Sequence, residues 1–433
     1  MMNHEENELL CRVEGAAPMG QLMRRYWLPA CLSEEIADPD GAPVPCRLLG
    51  EDLVAWRNSD GKPSVMDRYC PHRKASLEFA RNEENGLRCL YHGWKIDIAG
   101  VVVEMPSEPP LAREEARPRM KAYPVEEAGG IIWVYMGPPE LKPVFEPPLH
   151  APNPQGRVAI VKIQVNCNWA QCLEGNIDSA HSSSLHSSNF KPSVGERTEV
   201  RGMTAVRPST DKAPRLQVER HPFGFRYAAI RRPSKNADQF DYVRTTTFVA
   251  PFTVLVPPNA LYNNAAMMVP IDDTHTMFHF IAWSEDPEGG IDQEAYRKRQ
   301  YAQVGIHVDK RWISRATPEN GYLQDRTAMK VGDFSGFKGV PNQDIPMWES
   351  MGPIVNRSLE RLGASDVAIV EFRNLMVESA RRFSASDCVP RGDGTLQFPL
   401  PPRGDLRAAE LMLPKGTDWR TIPMHLKPAA NQA

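Results

Sequence analysis

Cys70 and His72 are separated by one residue, Cys89 and His92 by two, and sixteen residues lie between the two pairs. Any fold of this chain must accommodate two short loops that each carry one thiol and one imidazole. Two sulfurs and two nitrogens suit a tetrahedral Zn²⁺ or a [2Fe–2S] cluster with thiolates on one iron and imidazoles on the other. In the usual zinc arrangement each short pair is Cys with Cys or His with His. Here both pairs are mixed, so each loop can give one ligand to each iron, and the spacing favours the cluster. A chain with such a centre moves electrons.

At 433 residues the chain exceeds the size at which one hydrophobic core stops growing, which predicts two domains. Between Gly137 and Arg157, seven prolines in 21 residues exclude a helix or a central strand. The expected organisation is a helical N-terminal segment at 1–25, a cluster domain at 26–140, a Pro-rich linker at 141–157 and a second domain at 158–433. Ser59-Asp60-Gly61 and Ala99-Gly100 are turn signals between strand-like runs, placing the ligands on loops of a small all-β domain.

Downstream, Val158–Val165, Phe225–Arg231, Tyr242–Val249, Thr253–Val256 and Thr274–Trp283 read as strands, several alternating as half-buried antiparallel strands do. Trp169–Leu185 has the length and spacing of a helix. Ser365 is placed to cap another, with Ile369, Phe372, Met376 and Phe383 on one stripe. The second domain is therefore expected to be an antiparallel sheet flanked by helices, an α+β arrangement.

Composition narrows the function by exclusion. The chain is 41% apolar and 24% charged, with no apolar run long enough to span a bilayer, and its first residues are acidic where a secretory signal is basic and then apolar. The 51 basic and 54 acidic residues are interspersed, so neither nucleic acid nor an anionic membrane is an expected partner. Eight cysteines show no disulfide framework, which fits a reducing cytoplasm. Cys167 and Cys172 read as buried thiols.

A second metal site is written near Asp178. At about 100° per residue, Asp178, His181 and His186 fall on one side of a helix. Two His and one carboxylate form the facial triad of non-haem Fe(II) oxygenases, which leaves positions open for O₂. Asp178 is also near enough to hydrogen-bond the second ring nitrogen of His181, in which case the third ligand comes from elsewhere. Asp366 is the candidate, standing at the same spacing from Ile369 as Asp178 from His181; its other reading is a first-turn Asp favoured by the helix dipole. His275 and His279, without a carboxylate at ligand spacing, read as structural.

Through the segments MGQLMRRYWLPACL, CPHRKASLEFARNEENGLRCLYHGWK, NWAQCLEGNIDSAHSSSLHSS, RPSTDKAPR, NQDIPMW and GASDVAIVEFR, the chain resembles the oxygenase component of Rieske non-haem iron aromatic-ring-hydroxylating oxygenases, in the phthalate dioxygenase branch. The resemblance implies an N-terminal all-β Rieske domain and a helix-grip, START-like catalytic domain. It implies a Rieske [2Fe–2S] cluster on Cys70, His72, Cys89 and His92, and a mononuclear Fe(II) on His181, His186 and Asp366, with Asp178 as the bridging carboxylate. Arg207 and Arg244 then match guanidinium positions for substrate carboxylates, and Ser179 could add a hydroxyl donor. One departure is Glu174, where many naphthalene-type relatives carry Asn.

The implied reaction is cis-dihydroxylation of an aromatic dicarboxylate of the phthalate kind with O₂. Electrons would come from NADH through a separate flavin and iron–sulfur reductase, since no dinucleotide or flavin motif is present. A trimer, or stacked trimers, would bring His92 of one subunit to Asp178 and His181 of the next, closing a heterologous ring. Two alternatives remain at this point: a Rieske monooxygenase or O-demethylase with the same metals, and an electron carrier without a mononuclear iron.

Overall fold

The structure is a computed structural model and describes residues 2–109, 118–148, 158–192, 205–257, 262–284, 290–384, 398–399 and 408–421. The chain forms two units. Described residues 12–148 make the first, which interrupts in sequence a second unit made of residues 2–11, 158–384 and 398–421. Helix α1 (His4–Cys11) belongs to the second unit and α2 (Pro18–Met23) to the first, so the expected single N-terminal segment 1–25 is divided at Cys11. Part of the expected linker, 149–157, lies outside the described residues.

In the first unit β1 (Trp27–Leu32), β2 (Val44–Leu48), β3 (Glu51–Arg57), β4 (Pro63–Asp67), β5 (Arg81–Glu83), β6 (Gly86–Arg88), β7 (Lys95–Asp97), β8 (Val102–Glu104), β9 (Ala122–Tyr123), β10 (Val125–Ala128) and β11 (Ile131–Tyr135) form three sheets. Their orders are β1-β11-β10, β2-β3-β4-β9 and β5-β6-β7-β8. The turns read at Ser59–Gly61 and Ala99–Gly100 join β3 to β4 and β7 to β8. Cys70 follows β4 and Cys89 follows β6, and both are buried in a core with Val54, Trp56, Met66, Leu77, Leu87 and Ile96.

The second unit adds β12 (Val158–Val165), β13 (Phe190–Pro192), β14 (Ala205–Arg207), β15 (Arg215–His221), β16 (Gly224–Arg231), β17 (Phe240–Val249), β18 (Thr253–Val256), β19 (Asn263–Pro270), β20 (Thr276–Trp283) and β21 (Ala409–Pro414). All but the short parallel pair β13–β14 join one antiparallel sheet, ordered β12-β20-β19-β18-β17-β16-β15 with β21 on β17. Its helices are α3 (Trp169–Ile177), α4 (Gln293–Arg299), α5 (Arg326–Lys330), α6 (Val340–Ser350) and α7 (Val367–Ser384). Helix α3 lies against β18 and β19, and α7 against β15. Trp169, Phe372 and Phe248 meet edge to face and tie α3, α7 and β17 together. The α+β expectation holds, and among the described residues no helix is long and apolar enough to cross a membrane.

Register decides what the sheet shows to each side. Tyr227, Ala229 and Arg231 pair with Thr246, Arg244 and Tyr242, and alternation puts all six on one face. The opposite face carries Ala228, Ile230 and Val243, which cluster with Trp419 from the C-terminal segment.

Two helix boundaries differ from the sequence reading. The helix expected over Trp169–Leu185 ends at Ile177, because Asp178 turns to extended backbone at ψ 124° and its carboxylate accepts the N–H of Ala180 at 2.6 Å and of His181 at 3.4 Å. A short polar side chain has outcompeted the helical hydrogen bonds, and a 3₁₀ turn over His181–Ser183 follows. Ser365 does not cap the last helix; Asp366 Oδ2 accepts the N–H of Gly363 at 2.6 Å ahead of α7.

Candidate metal centres

The two cluster loops fold alike. In each, the Cys N–H donates to the carbonyl five residues on, Cys70 to Ala75 at 2.9 Å and Cys89 to Trp94 at 2.8 Å. The residue four on donates back to the Cys carbonyl, Lys74 and Gly93 both at 2.9 Å. That returning residue is left-handed in both loops, with φ +58° at Lys74 and +75° at Gly93, a conformation free to glycine and strained for lysine.

The loops bring the two thiols into hydrogen-bonding contact and set the rings of His72 and His92 with centroids 4.3 Å apart. His72 stacks flat on Trp94 at 4.6 Å, inclined by 7°. Burial pushes the Cys70 thiol up to about 11, so ionising it calls for a metal. His72 Nδ1 is buried with no hydrogen-bond partner among the described residues, an orphan that a metal would satisfy. Two thiols and two imidazoles in this arrangement have the chemistry that a [2Fe–2S] cluster needs.

The second centre gathers His181 from the 3₁₀ turn after α3, His186 from the loop that follows, and Asp344 from α6. His181 Nε2 and His186 Nε2 are 3.0 Å apart, and Asp344 Oδ1 lies 3.2 Å from His186 Nε2 and 3.6 Å from His181 Nε2. The three donor atoms fall within 4.8 Å of one another, a pocket of two nitrogens and one oxygen suited to a divalent transition metal. Asp344, on α6, takes the place that the sequence reading gave to Asp366, whose carboxylate is occupied by the Gly363 N–H.

Each imidazole is aimed through its other nitrogen. His181 Nδ1 is 3.3 Å from Asp178 Oδ2, and His186 Nδ1 is 2.6 Å from Gln343 Oε1. Gln343 is itself fixed, its Nε2 donating to Asn189 Oδ1 at 2.7 Å and to the Phe337 carbonyl at 3.1 Å. Both acceptors hold the proton on Nδ1 and leave Nε2 facing the metal position. Burial pushes the Asp178 carboxyl up, but His181 and two backbone N–H groups outweigh it and hold Asp178 below the usual carboxylate range.

Helix α6 reaches α3 because residue 175 is glycine. A Cβ there would stand 2.1 Å from Trp348 Nε1. Gln171 completes the junction, its Nε2 donating to the carbonyls of Trp348 at 2.9 Å and Gly352 at 2.8 Å.

A cavity of roughly 310 Å³ opens beside this centre, at the small end of the range for small-molecule sites. Asp178, His181, His186 and Asp344 form one part of its wall and Tyr262, Phe278 and Phe280 another. Of the residues read as substrate-binding, Ser179 and Arg244 line it. Arg244 Nη2 donates to the Pro257 carbonyl at 3.2 Å. Arg207 stands behind Ser182, its two Nη atoms donating to the hydroxyls of Ser182 and Ser183 at 3.0 Å.

Among the remaining sequence candidates, Cys167 and Cys172 are buried free thiols with Sγ atoms 3.4 Å apart. His275 finds a carboxylate the sequence reading did not assign to it, Asp272 at 2.9 Å. Asp344, Gln343 and Gly175 were not singled out from sequence; Gln343 and Asp344 lie in the NQDIPMW segment that supported the resemblance.

Residues 26–124 match the Rieske [2Fe-2S] domain, and residues 134–432 match the LigXa C-terminal domain like family. The chain belongs to the Rieske oxygenases. It is 54% identical over 420 residues to the phthalate 4,5-dioxygenase oxygenase subunit of Pseudomonas putida, covering 97% of this chain and 94% of that one. It is 36% identical over 432 residues to the 3-chlorobenzoate-3,4-dioxygenase oxygenase subunit of Comamonas testosteroni, covering 96% of each. Among solved structures, the terminal oxygenase of carbazole 1,9a-dioxygenase from Nocardioides aromaticivorans shares the fold, with a TM-score of 0.53 at 18% identity over 90% of this chain and 98% of that one. As a Rieske oxygenase the protein carries a [2Fe–2S] cluster and a mononuclear iron.

Proposed function

We propose that the protein is the oxygenase subunit of a cytoplasmic multicomponent dioxygenase that adds both atoms of O₂ to a benzene dicarboxylate of the phthalate kind, giving a cis-dihydrodiol at ring positions 4 and 5. One observation carries the substrate reading: Arg244 lines the cavity beside the His181–His186–Asp344 group. A guanidinium fork matches a carboxylate with two parallel hydrogen bonds. The similarity to a phthalate 4,5-dioxygenase subunit supports the same substrate and ring positions.

In this reading Cys70, His72, Cys89 and His92 hold the cluster, and His181, His186 and Asp344 hold the iron. The iron, when bound, supplies the O₂ chemistry, with electrons delivered through the cluster. Asp178 and Gln343 keep the two imidazoles in the tautomer that presents Nε2. Arg244, supported by Arg207 and by the Ser179 hydroxyl, anchors the substrate carboxylates. Tyr262, Phe278 and Phe280 pack on the ring and keep water from its face. A separate flavin and iron–sulfur reductase passes electrons from NADH, and a ring of three copies or a stack of two such rings sets His92 of one copy against Asp178 of the next.

The test is a panel of aromatic mono- and dicarboxylates, with oxygen uptake read against NADH consumption and products labelled from ¹⁸O₂. Phthalate should give coupled uptake and a diol retaining both labelled atoms; a singly labelled or demethylated product would move the protein to the monooxygenases. Arg244→Ala should weaken phthalate binding by about 2–5 kcal/mol, the usual result of stranding one partner of a buried charge pair.

A further inference from the structure

A third guanidinium lies with Arg207 and Arg244. Arg231 ends β16 on the face that Tyr227, Arg244 and Thr246 present to the cavity, one diagonal step from Arg244 across the β16–β17 pair. Diagonal neighbours of this kind are about 7–8 Å apart. Arg231 is 1% exposed. Its Nη2 donates to the Ser179 carbonyl at 2.9 Å, while Nε and Nη1 are buried with no hydrogen-bond partner among the described residues.

Two carboxylates stand near and offset part of this charge, Glu410 acting on Arg207 and Asp211 on Arg231, but neither is hydrogen-bonded to Arg231. Glu410, level with Arg244 on β21, accepts the Tyr242 hydroxyl, and Asp211 accepts the backbone N–H groups of Arg232 and Ala213. Three buried cations gather at and behind the Arg244 wall of the cavity, and burial first, then the adjacent Arg244 charge, pulls both Arg207 and Arg231 below the ordinary arginine value despite the two carboxylates. Folding gains nothing from such a group, since apolar side chains of similar volume would be at least as stable. An arriving anion relieves it, and one with two negative charges relieves it more.

We propose that Arg231 is a specificity-determining residue: its buried guanidinium behind Ser179, with two nitrogens left without hydrogen-bond partners among the described residues, makes the cavity select substrates bearing two carboxylates over those bearing one. The inference rests on the dicarboxylate reading above. Arg231 acts as a positioning residue, through its field and through the Ser179 backbone that it holds.

Equilibrium binding of phthalate and of its monomethyl ester to the iron-loaded holoenzyme, in wild type, R231Q and R231K, tests this. R231Q should weaken phthalate about tenfold or more while the monoester changes by less than about threefold, and R231K should keep the preference. Equal weakening of both ligands by R231Q would assign Arg231 a structural part only and overturn the proposal. Wild-type protein that binds neither ligand would instead remove the dicarboxylate reading.

Should R231Q fail to load iron, R231K decides by its pH profile. An ammonium among guanidiniums loses its proton in the alkaline range where a guanidinium does not. The preference that R231K keeps at about pH 7 should then fall as pH rises toward the ordinary lysine value of about 10.4, while wild type stays level. A level profile in R231K overturns the proposal.

Discussion

Asp344 and Asp366 are both carboxylates near the start of a helix, and only their surroundings tell them apart. Asp344 Oδ1 meets two imidazole nitrogens, whereas Asp366 Oδ2 meets a backbone N–H. Asp344→Ala should leave about two of the three irons per chain, those of the cluster, with the visible spectrum retained. Asp366→Ala should keep all the iron and lose about 1 kcal/mol of stability, the usual worth of a helix cap. Metal analysis and denaturant unfolding of the two variants separate the roles. The ligands that sequence exposed are those that come in close pairs, since spacing carries their geometry. Asp344, Gln343 and Arg231 reach the site from distant elements through tertiary packing; spacing does not mark them, although Gln343 and Asp344 lie in the NQDIPMW segment that carried the resemblance.

At the scale of elements, the junction of α3 and α6 fixes where Asp344 stands. Gly175→Ala should push Trp348 aside, destabilise the fold by about 1–3 kcal/mol as overpacking does, and lower the occupancy of the lone iron without bleaching the cluster. Iron per chain and the thermal midpoint report both effects. The cluster loops make an opposite prediction. Lys74 occupies a left-handed position that Gly93 fills without strain in the twin loop, so Lys74→Gly should be neutral or stabilising by up to about 1 kcal/mol, with an unchanged cluster spectrum.

Five of the eight strands of the main sheet, β12, β16, β17, β18 and β20, were legible as runs rich in β-branched and aromatic residues. β15, β19 and β21 were not read; β19, rich in Asn, Ala and Met, has only one of the β-branched and aromatic residues that mark a strand. The end of α3 was misread for a different reason: the spacing of Asp178, His181 and His186 suits a helix, and competition from the Asp178 carboxylate leaves no periodic trace.

Across the whole molecule, a buried ionic group gathers the second unit. Glu174 accepts from Arg357 Nε at 2.9 Å and from Arg373 Nε at 2.7 Å, and Arg357 Nη1 continues to Asn7 Oδ1 at 2.8 Å and Cys11 Sγ at 3.1 Å on α1. Burial raises the Glu174 carboxyl, yet the two guanidiniums outweigh it and the net direction is down from the ordinary 4.5. Its stabilisation is therefore complete above that value and is lost as pH falls through the depressed folded one. Glu174→Gln, leaving Arg357 without its carboxylate and Arg373 with Glu360 alone, should cost about 3–5 kcal/mol at neutral pH and flatten the acid limb of the stability profile, as read by unfolding at a series of pH values. Length and proline content predicted two bodies, but not that the first helix is separated from its own body by an insert.

That separation governs how the protein can be dissected. A gene opened at the proline-rich stretch would encode a catalytic half lacking residues 2–11, and Arg357 would face a hole where Asn7 and Cys11 had been. Producing that half in folded form calls for restoring the leading decapeptide ahead of residue 158 through a tether that spans the length of β12, since Cys11 sits against Asn168, beyond the far end of that strand.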